Sequence, residues 1–391
     1  MKLNHEQERA IEIATSNNIS WISGGAGCGK STIIKEIAEK VTNPILVAPT
    51  GKAASRLREA SGLQTATVHS RLKYIGDGFL GGDLTGENWI IDESSMVDSR
   101  LMYEIVKRKP DTIVLVGDSA QLQPVGPGAP FFDIVKAYPG LGQDLKICYR
   151  NKESIFQAAM EVRGGELPDK EYISDGEIWK IHQTKSAEVT HERVMNMVKD
   201  GYLDFEKDIV ICCRNGDDKN PSPCTVKSLN RDIAEFLRPR NANSDWRVGD
   251  RIICRKNFSA KDVWNGTTGT ITAMTADGKG IYVRGDIPFN THFGVEDEIL
   301  WDGEVLKNTQ LAYAITAHRS QGSQYRKVIF AINNNDFIML NRSLIYTSIT
   351  RAQKECHVIG SLQAFCSGIN KIGEKNTAFK LIENERNNKC G

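Results

Sequence analysis

Short apolar runs punctuate the first part of the chain: Ile19 to Ser23, Ile45 to Ala48, Trp89 to Ile91 and Thr112 to Val116. Unbroken runs of this kind predict strands buried on both faces of a parallel sheet. Helical stretches lie between them, such as Thr32 to Lys40 after the first run. A second series, Asp208 to Cys213, Lys327 to Ile332 and Cys356 to Gly360, repeats the pattern beyond residue 200. The chain therefore reads as α/β with two domains of similar build, placed at 1–150 and 151–391.

Two stretches break the pattern. From about 245 to 302 the chain is rich in Gly, Thr and Asp, with turn signals at Gly249-Asp250, Asn265-Gly266 and Asp277-Gly278. This predicts a small antiparallel β insertion in the second domain. From about 74 to 88, Gly76, Gly78, Gly81, Gly82 and Gly86 predict a hairpin or loop projecting from the first.

Composition bounds the problem more than it solves it. With 391 residues, 40% hydrophobic and 25% charged, the chain has the make-up of a globular protein and is long for one domain. The start, Met1-Lys2-Leu3-Asn4-His5-Glu6, lacks the apolar stretch of a signal peptide, and no run is long enough to cross a bilayer, so a cytoplasmic protein with no membrane partner is expected. Nine cysteines without a framework spacing predict no structural disulfide in a reducing compartment. Cys212 and Cys213 fall in an apolar strand run, and no His or Cys pair nearby completes a zinc site with them and Cys224. A net charge of +1 neither marks nor excludes a nucleic-acid binder, which need only be basic along its groove.

The chemistry begins at Gly24. The run Gly24-Gly25-Ala26-Gly27-Cys28-Gly29-Lys30-Ser31, followed by Thr32, has the Gly-x-x-x-x-Gly-Lys-Ser spacing between a predicted strand and a predicted helix. Glycines let backbone N–H groups wrap phosphates at a helix N-terminus; Lys30 brings charge to the outer phosphates, and the Ser31 hydroxyl suits Mg²⁺. Such a cradle binds a nucleoside triphosphate, read here as ATP.

Holding that magnesium needs a carboxylate at a strand end, and Asp92 follows Trp89-Ile90-Ile91. Glu93 is next, in place to orient or deprotonate the attacking water. An acidic pair there also suits a plain helix N-terminus. A third strand leads into Gly117-Asp118-Ser119-Ala120-Gln121, where Gln121 is a candidate γ-phosphate sensor. Near the start, Asn4 and Gln7 carry two readings: a helix capping box, or an amide in Gln7 that reads adenine.

In order and spacing these segments resemble the superfamily 1 helicases, and within them the 5′-to-3′ branch that contains RecD and the phage helicase Dda. The resemblance rests on Leu3-Asn4-x-x-Gln7, the phosphate loop, Ala48-Pro49-Thr50-Gly51-Lys52-Ala53-Ala54, Thr67-Val68-His69-Ser70, Asp92-Glu93-Ser94-Ser95-Met96 and Gly117-Asp118 through Gln121-Leu122-x-Pro124. It continues in Tyr149-Arg150, in Tyr313 to Ser323 around Thr316-Ala317-His318-Arg319-Ser320-Gln321-Gly322, and in Tyr346 to Ala352 around Thr350-Arg351.

The resemblance implies two RecA-like domains with ATP between them, and revives Gln7 as the adenine reader. The first domain would give Lys30, Ser31, Asp92, Glu93 and Gln121. Arg150 and Arg351 would serve as arginine fingers from the second, where Gly322 would also meet the nucleotide. Two ordinary surface arginines remain the plain alternative. Pro49, Thr50, His69, His318 and Ser320 fall on positions that line the family's DNA path. The 245–302 insertion resembles an SH3-like accessory domain, and the 74–88 segment the pin that splits the duplex, with Phe79 its one aromatic. Arg247, Arg251, Arg255, Lys256 and Lys261, interleaved with Trp246, Phe258 and Trp264, suit either a single-strand groove or a solvated β surface.

Two residues depart from the family pattern. Cys28 stands where Thr is usual, placing a thiol against the phosphates with a helix N-terminus to lower its pKa, so inhibition by thiol reagents is expected. Gln324 replaces a Glu that contacts the ribose. The expected function is an ATP-dependent, Mg²⁺-dependent DNA helicase that moves 5′ to 3′ on single-stranded DNA and opens duplexes with a 5′ tail. It would act as a monomer, with room for a replication or recombination protein as partner. A P-loop ATPase acting as a translocase or remodelling switch without processive unwinding is the rival reading, and an RNA helicase the nearest one within the class.

Overall fold

The computed structural model describes residues 3–75, 78–147, 154–174, 176–217, 222–238, 246–291, 294–373, 375 and 377. The chain forms two compact units, Met1–Asn151 with Gly373–Gly391, and Lys152–Ile372.

In chain order the strands of the first unit are β1 (Ile19–Gly24), β2 (Pro44–Ala48), β3 (Thr65–Thr67), β4 (Tyr74–Ile75), β5 (Gly78–Phe79), β6 (Asn88–Ile91), β7 (Thr112–Gly117) and β8 (Gly142–Leu145). Six of them make a parallel sheet in the order β3-β2-β6-β7-β1-β8. The four apolar runs of the sequence are its centre. Strands β3 and β8 are three and four residues long and carry no apolar run, so the sequence pattern passes over them. Strands β4 and β5 stand apart as an antiparallel hairpin within the predicted 74–88 projection, whose Gly76 lies outside the described residues.

Helices cover the sheet where the sequence supplies caps. Helix α1 (His5–Ser16) starts on a capping box in which Asn4 and Gln7 bond each other's backbone. Helix α2 (Lys30–Lys40) follows the phosphate loop. Helix α3 (Gly51–Ser61) begins where the Thr50 hydroxyl accepts from Ala53 N–H and ends at Gly62, whose φ of 73° suits glycine. Each such N-cap contributes about 1 kcal/mol. After the short α4 (Val68–Arg71), helix α5 (Ser99–Val106) is capped by Asp98. Below them Trp89, Ile91, Val68, Leu72, Leu115 and Phe131 form a buried core.

The second unit contains β9 (Glu171–Ser174), β10 (Glu177–Gln183), β11 (Ile209–Cys212), β12 (Arg251–Cys254), β13 (Thr268–Met274), β14 (Gly280–Thr291), β15 (Gly294–Asp302), β16 (Thr309–Leu311), β17 (Ala314–Thr316), β18 (Tyr325–Ile332) and β19 (Ala352–Gly360). Its main sheet runs β17-β11-β18-β19-β10-β9, parallel except for the terminal β9–β10 pair. A separate antiparallel sheet, β15-β14-β13-β12-β16, surrounds Ile252, Val283 and Trp301. No helix among the described residues is long and apolar enough to cross a membrane.

Beyond Ile372, the described residues Lys375 and Thr377 bond the first unit. Lys375 N–H donates to Gln123 Oε1 at 2.9 Å and the Thr377 hydroxyl to Asp133 Oδ1 at 2.9 Å.

Candidate functional site

Strand β1 delivers the chain to Gly24, and the loop turns into α2 through two left-handed residues, Gly27 (φ 81°) and Gly29 (φ 80°). Residues with a Cβ are strained there, which is why the motif spends glycines on them. Lys30 folds back over the loop, donating to Gly24 O at 2.7 Å and Gly25 O at 2.9 Å. Thr32 N–H and Ile33 N–H close the first turn on Gly29 O.

Asp92 and Glu93 lie at the end of β6. Asp92 Oδ1 accepts from Glu93 N–H at 2.9 Å. Burial first, then the neighbouring Glu93 charge, raise the Asp92 carboxyl to about 7, against the pull of the Lys30 ammonium. Glu93 holds a left-handed backbone, φ 50° and ψ 39°, an outlier for a residue with a side chain and of a kind that clusters at active sites.

Strand β7 carries the third group. Ser119 N–H and hydroxyl both bond Ser23 Oγ, at 3.3 and 3.0 Å, tying the end of β7 to the end of β1. Gln121 is 5% exposed, and its amide oxygen has no hydrogen-bond partner among the described residues. A buried amide left so costs about 1 to 3 kcal/mol, and an orienting contact to water or phosphate would satisfy it. Together with the glycine cradle, this fits Lys30, Ser31, Asp92 and Gln121 to a magnesium–triphosphate.

In the second unit, Arg351 is 4% exposed. Its guanidinium donates to Thr347 O (3.0 Å), Ser323 O (3.2 Å) and Thr350 Oγ1 (3.2 Å), all neutral oxygens. Gly322 is buried with φ 68°. Arg150 lies outside the described residues, but Glu6 Oε2 accepts from both Lys146 N–H and Ile147 N–H at 2.9 Å, fixing the chain just before it. Nothing in the sequence singles out Glu6 for that task.

The cysteine expectations need correction. Cys28 offers no thiol: it is 2% exposed and disulfide-bonded, whereas Cys212, Cys213, Cys224, Cys254, Cys356 and Cys366 are free. Both the absence of disulfides and the reactive Cys28 thiol were wrong, because an odd count without a framework spacing carries no signal for one local pair. Ser320 is fully buried and its hydroxyl donates to Ala317 O at 2.7 Å, which shapes its turn. Gln7 is likewise fully buried and caps α1, with its amide oxygen on Asn4 N–H.

The basic patch is mostly spent. Arg247 pairs with Glu235 (2.8 Å), Arg251 with Asp286 (2.7 Å) and Lys261 with Asp302 (2.6 Å), while Trp246 and Phe258 pack on the core of the small sheet. Arg255 and Lys256 remain exposed. Sequence reading passed over Arg319, whose pKa is lowered by burial and then by the like charge of Arg255; its place between His318 and Ser320 was the available signal. Trp264 is half-buried, with its indole N–H on Asp262 (2.8 Å), and Pro49 and His318 are half-buried too. His69 packs against Tyr74 and Phe79, and burial lowers its pKa.

The profile of the AAA domain matches residues 2–183, and that of the UvrD-like helicase C-terminal domain residues 311–359. The ATP-dependent RecD2 DNA helicase of Deinococcus radiodurans is 30% identical over 383 residues, which cover 93% of this chain and 50% of that protein. The RecBCD enzyme subunit RecD of Mycolicibacterium smegmatis is 28% identical over 414 residues, 91% of this chain and 71% of that protein. The chain thus spans about half the length of the first of these relatives. A structure of Pif1 helicases at forked DNA superposes over 100% of this chain and 98% of its own with a TM-score of 0.56 at 20% identity. That likeness shows a fold of two RecA-like domains.

Proposed function

We propose, from the premise that the chain belongs to the superfamily 1 helicases of the RecD and Pif1 kind, that it is an ATP-driven motor that moves 5′ to 3′ on single-stranded DNA and separates duplex strands. The observation that carries this is the juxtaposition, at the ends of parallel strands, of the Lys30 cradle, the Asp92–Glu93 pair and the buried Gln121 amide. Lys30 grips the outer phosphates. Ser31 and Asp92 would hold Mg²⁺, which supplies charge neutralisation on the phosphates. Glu93 takes the proton of the water that attacks the γ-phosphorus, and Gln121 orients that water. Arg351, and Arg150 from outside the described residues, stabilise charge on the phosphoryl group as it transfers, a role worth about 10³ to 10⁵ in rate.

A charge supplied by the second unit makes turnover depend on how the units move, and so links hydrolysis to stepping along a strand. Pro49, Thr50, His318, Arg255 and Trp264 would line that strand, with stacking worth about 1 to 3 kcal/mol per base where an aromatic is used. We place the protein in the cytoplasm as a monomer. The reading is tested by ATPase activity with and without single-stranded DNA. Strong stimulation supports it, and an ATPase indifferent to DNA points to a remodelling switch.

A further inference from the structure

Within the second unit, Ala312 and Tyr313 alone separate β16, at the edge of the small sheet, from β17, at the edge of the main one. The link is held from both sides. Ala312 N–H donates to Arg251 O on the small sheet at 2.8 Å, and Tyr313 O accepts from Val210 N–H on the main sheet at 3.2 Å. Asn230, on the helix Val226–Leu237 and 5% exposed, grips both ends of the link. Its Nδ2 donates to Leu311 O at 3.0 Å and to Ala314 O at 2.9 Å, and its Oδ1 accepts from Ala314 N–H at 2.8 Å. One amide thus spends two donors and an acceptor on the backbone of two sheets, a set that a carboxylate or an aliphatic side chain cannot supply.

The end of the same helix makes a second grip. Arg238, next after Leu237, donates Nη1 to the Tyr313 hydroxyl at 2.8 Å, and that hydroxyl donates to Asp250 Oδ1 at 2.8 Å, just before β12. Tyr313 is 1% exposed, and its ring stands edge-on to Phe205 at 5.0 Å. The Arg238 guanidinium packs on Gly249, where a φ of 86° and a Cβ position 2.6 Å from Nε both demand glycine. Asp250 Oδ2 also accepts from Arg247 N–H at 3.1 Å, and Arg247 pairs with Glu235 of the helix at 2.8 Å. The helix is a splint fastened to both sheets.

What lies beyond the joint gives it a use. On the small sheet β12 runs into Arg255; on the main sheet β17 runs into the turn at 316–320 and on to Gly322, and β19 begins next to Arg351. Burial, and then the like charge of Arg255, lowers the Arg319 pKa, so the cations of the two sheets interact. We propose that Asn230 and Tyr313 are positioning residues that fasten the small sheet to the main sheet as one rigid body, so that a strand held at Arg255 and Trp264 moves with the turn that follows β17. The inference rests on the motor reading above. A motor that grips its track on one sheet and meets its nucleotide on another delivers a full step only if the joint between them does not yield, and close-packed, fully bonded joints transmit strain.

The test compares wild type with Asn230→Ala and Tyr313→Phe, each also made in an Arg255→Ala/Trp264→Ala background. Strand displacement and ATPase are followed in the same reactions, with DNA-free ATPase and thermal melting alongside. Both single variants should keep DNA-free ATPase, while base pairs opened per ATP fall about fivefold, the size of coupling that one hydrogen-bond network carries. In the background that lacks the strand contacts the same substitutions should change that ratio little, a non-additivity that a merely structural role does not produce. If Asn230→Ala unfolds, Tyr313→Phe, which keeps the ring on Phe205, decides the question. A wild-type ratio in the folded variants overturns the proposal, as does a fivefold loss that persists in the Arg255→Ala/Trp264→Ala background. A wild type that displaces no strand and whose ATPase ignores single-stranded DNA overturns the motor reading, and this use of the joint with it.

Discussion

Lys30 Nζ donates to the carbonyl oxygen of Gly24 at 2.7 Å, so the cation of the phosphate loop rests on the loop's own backbone. Phosphate oxygens accept such bonds more strongly than neutral carbonyls do, because both partners are then charged. Lys30→Ala should lose nucleotide binding or turnover, with kcat/KM for ATP down by at least about 10²-fold, as when one preorganised donor is removed from a transition state. Steady-state ATPase and a fluorescent-nucleotide titration separate the two losses.

Asp92 sets a pH dependence. Its carboxyl is raised to about 7, chiefly by burial and then by Glu93, so without metal the folded protein holds a proton that the unfolded chain releases at an ordinary carboxylate pKa. Metal-free stability contributed by this group is therefore present at low pH and lost as pH rises towards 7. Magnesium needs the ionised form, so ATPase at limiting Mg²⁺ should rise with pH through about 7, and saturating Mg²⁺ should move that inflection to lower pH. An inflection indifferent to Mg²⁺ would remove Asp92 from the metal site.

Arg351 gives a different signature. Its bonds to Thr347, Ser323 and Thr350 hold the guanidinium in a fixed plane. Arg351→Ala should keep nucleotide binding and lose turnover by about 10³-fold or more. Arg351→Lys should not rescue it, since an ammonium lacks the fork. Melting temperatures measured alongside show whether the buried site has merely collapsed, and wild-type turnover in the Ala variant would refute the finger.

The cysteines predict a labelling pattern. Burial raises the Cys212 and Cys213 thiols well above their usual range and the Cys224 thiol to about 12, and Cys28 is bonded. In native, unreduced protein an alkylating reagent should mark, among the described residues, Cys366, the free cysteine with accessible surface. After reduction Cys28 should label as well. Mass spectrometry of the peptide holding residues 24–31 checks this, and Cys28 labelling before reduction would contradict the disulfide.

The backbone of the candidate phosphate loop was legible because its geometry is local. Gly27 and Gly29 take the left-handed turns that the motif reserves for glycine, and Asp92 stands where an apolar run ends. What the sequence hid is long-range. The carboxylates that consume Arg251 and Lys261 lie 35 and 41 positions downstream, at Asp286 and Asp302, so a basic cluster along the chain is not one in space. Ser320 shows the same limit at short range: its hydroxyl closes its own helical turn. Glu6 and Arg108 act on backbone groups 140 and 27 to 29 residues away, and a bond to a carbonyl or an amide imposes no residue type on its partner.

The central claim is that hydrolysis at the Lys30 and Asp92 site drives a 5′-to-3′ motor on single-stranded DNA. Strand displacement on duplexes carrying either a 5′ or a 3′ single-stranded tail, with ATPase followed in the same reactions, tests it most directly. The account predicts ATP-dependent displacement from the 5′-tailed duplex alone, with ATPase stimulated by either tail. Displacement confined to the 3′-tailed duplex, or ATPase that ignores DNA, would contradict it.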